Sequence, residues 1–246
     1  MKVFKVDINA DVGEGIGNED KLLPLLSSCN VACGGHAGDE ASMREVVRLA
    51  KYHRVKVGAH PSFPDTKNFG REIMTIPNTA LFMSLKNQIK ALIAIAREEQ
   101  VSLHHIKPHG ALYNLAAKDK TTAEVIIEVI KRFHIPLKLY VPYGSVIARL
   151  AKEEGLDIIY EAFADRNYNE DLSLVSRKLP NALITDSDEM FSHVYSMIVH
   201  EKVKTVNGVE VSIKANTFCI HGDNPKALKL AKLLREKLDE YNIQIQ

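Results

Sequence analysis

Seven short runs of apolar and β-branched residues alternate with helix-like stretches along this chain, and that rhythm limits its folds more than any other feature. The strand-like runs fall at 3–9, 30–33, 55–60, 103–107, 137–141, 158–163 and 217–221. Between them, Asp39 can cap a helix running to about His53, and Asn78 can start a long helix ending near Gln100. Further helical stretches cover 122–133, 144–154 and 186–200. A last helix begins after Asn224-Pro225, with Ala227, Leu230, Ala231, Leu234 and Leu238 on one face. Repeated strand–helix units imply a parallel sheet covered by helices. Seven of them in one chain suit a closed or nearly closed β/α barrel; an open, doubly wound sheet is the alternative. The length of 246 residues fits one barrel domain spanning 1–246, since such barrels run to about 250 residues. The segment 203–213 breaks the rhythm: two short strands flank Asn207-Gly208, a hairpin signal, and should decorate the rim.

Composition removes several function classes. A formal net charge of +1 with no basic stripe gives no footprint for nucleic acid. No apolar run approaches the roughly 20 residues needed to cross a bilayer, so no membrane partner is expected. The first seven residues alternate charged and apolar side chains and lack the core of a secretory signal, which points to the cytoplasm. Cys29, Cys33 and Cys219 are odd in number and sparse, as expected of reduced thiols. They read as small buried residues, with a nucleophilic Cys33 as the alternative.

Reactive side chains collect at the strand ends. Period two puts Asp7, Asn9 and Asp11 on one side of the first strand and its exit. His105, Lys107 and His109 share a side of the fourth, Glu161 and Asp165 of the sixth, and Cys219, His221 and Asp223 of the seventh. His60 ends the third strand and His36 follows the second. In a parallel barrel the C-terminal ends of all strands open on one face, where active sites sit. Each residue alone has an innocent explanation: Asp39 reads as a cap, and Asp11 and Asp223 could cap the helices that follow them. Burying so many ionisable groups together costs several kcal/mol each unless they are paired or used. Two glycine-rich stretches, 11–17 and 32–39, follow strands and can bring backbone N–H groups against an anion. Neither is a P-loop or a dinucleotide fingerprint.

At these residues the chain resembles the LamB/YcsF family. The matching segments are DINADVGEG at 7–15, NVACGGHAGD at 30–39, GAHPSFPD at 58–65, FGR at 69–71, HIKPHGALYN at 105–114, EAFADR at 161–166 and CIHGDN at 219–224. Three positions depart from the family pattern: Gly35 stands in place of an aromatic residue, Glu72 in place of a second basic one, and Ser176 in place of the proline before Arg177. The resemblance implies a distorted barrel of the glycoside hydrolase/deacetylase type. It also implies the A-subunit of an ATP-dependent 5-oxoprolinase, which works with subunits B and C on 5-oxo-L-proline to give L-glutamate.

That chemistry needs a base for water, a proton donor for the leaving ring nitrogen, and cations for an oxyanion or phosphate. Asp11 or Glu161 is the candidate base; His109, or else His60, is the candidate acid. Lys107 and Arg166 would hold phosphate or the substrate carboxylate, with Arg71, Asn9 and Glu14 in the binding set. Asp7, His36, Asp165 and His221 would orient these groups, and Asp223 belongs with the binding set. Because no nucleotide motif is visible, ATP is expected to be handled with the partner subunits. Other readings are a metal-dependent amidohydrolase or sugar deacetylase, with a divalent ion on Asp7 or Asp11, His60 and His109; a Schiff-base aldolase on Lys107; and a non-catalytic binding subunit.

Overall fold

The structure is a computed structural model that describes residues 3–222, 224 and 226–246. Seven parallel strands close into a barrel. They are β1 (Phe4–Val12), β2 (Ser28–Ala32), β3 (Lys56–His60), β4 (Leu103–Ile106), β5 (Lys138–Pro142), β6 (Ile158–Phe163) and, after a hairpin, β9 (Thr217–Cys219). Each pairs with the next in that order, and β9 closes the ring by pairing with both β6 and β1. Closure removes the open-sheet alternative. The hairpin is β7 (Lys202–Lys204) and β8 (Glu210–Ser212), antiparallel around the Asn207-Gly208 turn. The sequence pattern gave no sign of β10 (Ile243–Ile245), a short strand parallel to the outer start of β1.

The covering helices are α1 (Glu19–Leu22), α2 (Glu40–His53), α3 (Asn78–Glu98), α4 (Gly110–Ala116), α5 (Lys120–Lys131), α6 (Val146–Glu153), α7 (Ser187–Tyr195) and α8 (Ala227–Glu240). Asp39 caps α2 through a capping box with Ser42, which satisfies amides that the first turn leaves without helical partners. The apolar face of α8 is buried at Ala227, Leu230, Ala231, Leu234 and Leu238, as its spacing requires. None of the helices among the described residues is long and apolar enough to cross a membrane.

The apolar core lies between sheet and helices, where Ile8, Ala10, Val31, Ala59 and Leu139 are fully buried. The barrel interior is different. It is filled by Asn9, Asn30, His105, Lys107, Glu161 and Thr217, none more than 2% exposed. A polar lumen is tolerable only if its groups are paired. Asn30 Nδ2 donates to Asn9 Oδ1 at 2.7 Å and Asp11 Oδ1 at 2.8 Å. Asn9 Nδ2 donates to Glu161 Oε1 at 3.0 Å and Thr217 Oγ1 at 2.7 Å. His105 Nε2 donates to Asn30 Oδ1 at 2.7 Å while its ring stacks on Tyr140. Gly58 makes room for that ring, because a Cβ there would collide with His105.

Candidate active site

A cavity of about 590 Å³ opens at the C-terminal ends of the strands. Asp11, Glu14, His60, Lys107, His109 and His221 line it, and Arg71 and Arg166 join them. Chain direction makes this the site: every strand delivers its last inward residue and its following loop to the same rim.

Lys107 stands at the centre. Its Nζ lies 3.0 Å from Asp11 Oδ1, 3.0 Å from Glu161 Oε1 and 3.1 Å from Cys219 Sγ. Burial alone would lower its pKa, but the Asp11 carboxylate, with the Cys219 sulfur and Glu161 beside it, prevails and holds it well above the ordinary value. For Asp11, burial pushes up, yet the His60 imidazole and the Lys107 ammonium beside it hold its carboxyl well below the usual carboxylate range. The ammonium therefore stays protonated. A Schiff-base aldolase needs a neutral amine as nucleophile, and this arrangement opposes that reading.

A second unit sits on the opposite wall. Asp165 Oδ1 is 2.8 Å from His221 Nδ1, while its Oδ2 accepts from the His221 backbone N–H at 3.2 Å and Asn224 Nδ2 at 3.3 Å. Burial would raise Asp165, but the adjacent His221 imidazole and these hydrogen bonds hold it below the ordinary value. With Nδ1 engaged, Nε2 is the His221 nitrogen left for a ligand. An acid–base group oriented by a buried carboxylate has this geometry.

The third unit is a histidine cluster. His60 Nδ1 donates to the Lys107 carbonyl at 2.7 Å, and His109 Nε2 donates to the Phe69 carbonyl at 2.9 Å. Their other nitrogens meet at 2.9 Å. His36 stacks on His109, with ring centroids 3.6 Å apart, and its Nε2 lies 2.8 Å from Glu14 Oε1. Phe69 and Gly70 both adopt left-handed backbone, with φ of 55° and 62°, which turns the Phe69 carbonyl toward His109. Glu14, His36, His60 and His109 each bring a ligand atom within 4.8 Å of the others, a donor set from which a metal site could be drawn.

The sequence-derived set is thus sorted by depth. Glu161 and Asn9 lie below the floor, bonded to Lys107 and to each other. His36 supports Glu14 from behind, and Asp165 supports His221. Arg166 reaches the cavity but donates to the carbonyls of Ala182 at 3.2 Å and Val175 at 2.6 Å, stapling the 175–182 loop. Asp223 lies outside the described residues.

Asp7 requires a correction. Its carboxylate accepts from Ser28 Oγ at 2.7 Å and Thr217 Oγ1 at 2.6 Å, and Lys56 Nζ is 3.5 Å away. All three partners belong to strand starts, so Asp7 sits at the N-terminal end of the barrel and does not line the cavity. Of the metal set suggested by the sequence, His60 and His109 fall in the cluster, where Glu14 and His36 join them. Cys33 is buried and its thiol is pushed up to about 12, which suits packing rather than nucleophilic attack.

Among the lining groups that escaped the sequence reading as site residues are Tyr113, Arg177 and Lys178. Tyr113 was visible inside the 105–114 segment. Arg177 and Lys178 lie in a loop without periodic pattern, and two adjacent cations downstream of Asp165-Arg166 were the available signal.

The LamB/YcsF family description matches residues 6–246. The 5-oxoprolinase A-subunit of Haemophilus influenzae (strain PittEE) is 44% identical over 241 residues, covering 98% of each chain. The crystal structure of a lactam utilization protein from Thermus thermophilus superposes with a TM-score of 0.92 at 40% identity, covering 99% of each chain. A family 4 carbohydrate esterase from Streptomyces lividans shares the fold alone, with a TM-score of 0.50 at 12% identity over 98% of this chain and 91% of that one. The barrel is therefore of the deacetylase type, and this chain belongs to the LamB/YcsF family.

Proposed function

We propose that this chain is the ring-opening subunit of an ATP-dependent 5-oxoprolinase, acting in the cytoplasm with partner subunits B and C. The observation that carries the reading is one cavity lined by Asp11, Lys107 and His221, with Glu161 paired to Lys107 beneath it and Asp165 bonded to His221 behind it. The near-full-length likeness to a 5-oxoprolinase component supports the substrate, and that relative's being one subunit of several supports the partners.

An unstrained lactam resists water, so the partners activate it by transferring the ATP γ-phosphoryl group to the lactam oxygen, releasing ADP. Water then adds to the activated carbon as His221 Nε2 takes its proton. The ring C–N bond breaks as His221 returns that proton to the departing nitrogen, leaving γ-glutamyl phosphate. A second water displaces phosphate and leaves L-glutamate. Lys107 stabilises the oxygen-borne charge in the tetrahedral state. Arg71, Arg177 and Lys178 at the mouth suit the carboxylate and phosphate. His221 takes the acid role assigned above to His109 because both ring nitrogens of His109 are engaged, one by the Phe69 carbonyl and one by His60. It takes the role of base from Asp11 because a carboxylate held well below its usual range is a poor proton acceptor.

The test is reconstitution with the two partners and measurement of glutamate released from 5-oxo-L-proline. Release should require ATP, this chain and both partners together. Glutamate formation without this chain would end the proposal.

Asp7 supplies a contrasting prediction. Burial raises its pKa above the ordinary value, beyond what its hydrogen bonds offset. A carboxyl raised in the folded state costs stability at neutral pH, and the cost fades as pH falls toward about 4. Asp7→Asn imitates the protonated form. It should keep kcat within about threefold, under 1 kcal/mol of barrier, and melt no lower than wild type at pH 7. A large loss of kcat with the fold intact would return Asp7 to the site.

A further inference from the structure

We propose that Asp11, Glu14, His60 and His109 bind one first-row divalent cation at the wall of the cavity. The argument begins with protons. A carbonyl oxygen only accepts, so His60 Nδ1 and His109 Nε2, each facing one, must carry hydrogen. That leaves His60 Nε2 and His109 Nδ1 as the lone-pair nitrogens, and they face each other at 2.9 Å. Two lone pairs hold that position only around a shared proton or a cation.

The surrounding oxygens favour the cation. Asp11 Oδ2 is 3.3 Å from His60 Nε2. Glu14 Oε1 is 3.5 Å from His109 Nδ1 and 4.0 Å from His60 Nε2. Ligands about 2.1 Å from a common ion stand roughly 3.0–3.4 Å apart at ordinary coordination angles, close to the His60–His109, His60–Asp11 and His109–Glu14 separations. Formal charge points the same way. Asp11, Glu14 and Glu161 against Lys107 give three negative charges and one positive, a net of −2. One shared proton removes half of that; a divalent ion removes all of it. Pinning of each ligating imidazole by a carbonyl on its far nitrogen is the outer-shell arrangement that fixes tautomer and aim at metal sites. Two nitrogens and two carboxylates suit zinc, cobalt, manganese or iron better than magnesium or calcium.

His36 is excluded as a ligand beside His109. The two rings are parallel to within 2° and stacked. Their in-plane lone pairs therefore run side by side, and an ion in the plane of one ring lies out of the plane of the other. His36 is a positioning residue, holding Glu14 through its Nε2.

The full-length chain, stripped with chelator, should be titrated with Co²⁺ by calorimetry and by visible d–d absorption. One equivalent should bind, and Zn²⁺ should displace it and quench the absorption. His60→Ala and Glu14→Gln should each weaken binding at least about 100-fold. Glu14→Gln is isosteric and guards against loss of fold, which metal-free melting checks for both. His36→Ala should weaken binding about tenfold while leaving the d–d band in place. Absence of stoichiometric binding by the wild type, unaltered affinity in the His60 and Glu14 variants, or a band abolished by His36→Ala would each overturn the assignment. None of these readouts involves the lactam, so their failure is separable from failure of the 5-oxoprolinase reading.

Discussion

Lys107→Met should lower kcat/KM for ATP-dependent glutamate release by about 10³-fold and destabilise the chain by about 3–5 kcal/mol. Both effects come from one ammonium. Removing it strips the cavity of its central fixed cation and leaves Asp11 and Glu161 buried and facing each other across its place. In the wild type, the pKa of Lys107 is raised above its ordinary 10.5, so its contribution is whole below that value and is lost as pH rises through the folded one. Asp11 is lowered below its ordinary 3.8, so its contribution is present above 3.8 and is lost as pH falls through the folded value. The pair therefore stabilises from about pH 4 to about pH 10. In the variant Asp11 loses its counter-charge and its value rises. The deficit should be largest at neutral and alkaline pH and shrink as pH falls toward about 4. Urea melts across pH measure this directly. Adding Glu161→Gln should restore much of the stability and none of the activity. A Lys107→Met complex with wild-type kcat, or one whose stability deficit grows on acidification, would refute the account.

How much of this was legible before the structure turns on strand length. The strand pattern was readable because apolar residues face the helices at period two, and that alternation survives even though the lumen is polar. It ended β1 at Asn9, however, whereas the strand runs to Val12. At about 3.3 Å per residue, those three positions move the rim by roughly 10 Å. Asp7, Asn9 and Asp11 share a face as expected, yet only Asp11 reaches the mouth. Alternation reports which side of a strand a residue takes and is silent about depth along it. The same limit hid the supporting residues: nothing in the spacing of Asp165 and His221 says that one orients the other. The 164–186 loop carried no period at all, so Arg177 and Lys178 had no pattern to place them. Glu14 was legible as a binding residue from its glycine-rich loop, but its contact with His36 depends on two loops folding toward each other.

Asp165→Asn should lower kcat by about 10²–10⁴-fold with little change in KM. The substitution is nearly isosteric, and the hydrogen bonds dictate how the new amide sits. Asp165 Oδ2 accepts from two donors, the His221 backbone N–H and Asn224 Nδ2. The amide oxygen must occupy that place, because an NH₂ group there would face both donors. The NH₂ then takes the Oδ1 position and points at His221 Nδ1. It donates, so Nδ1 must accept, and the imidazole proton moves to Nε2. His221 then presents a proton donor where the first step requires an acceptor for water. The ring keeps its place beside Phe163, so substrate binding is preserved and the loss falls on kcat. The limb of the pH–rate profile that reports the base should vanish, a change that a merely structural role would not produce. His221→Asn should cost as much, and the double variant no more than either alone, since the two residues act as one unit. Losses that instead multiply in the double variant, or an Asp165→Asn enzyme within about threefold of wild type, would show that His221 and Asp165 do not share the proton transfer.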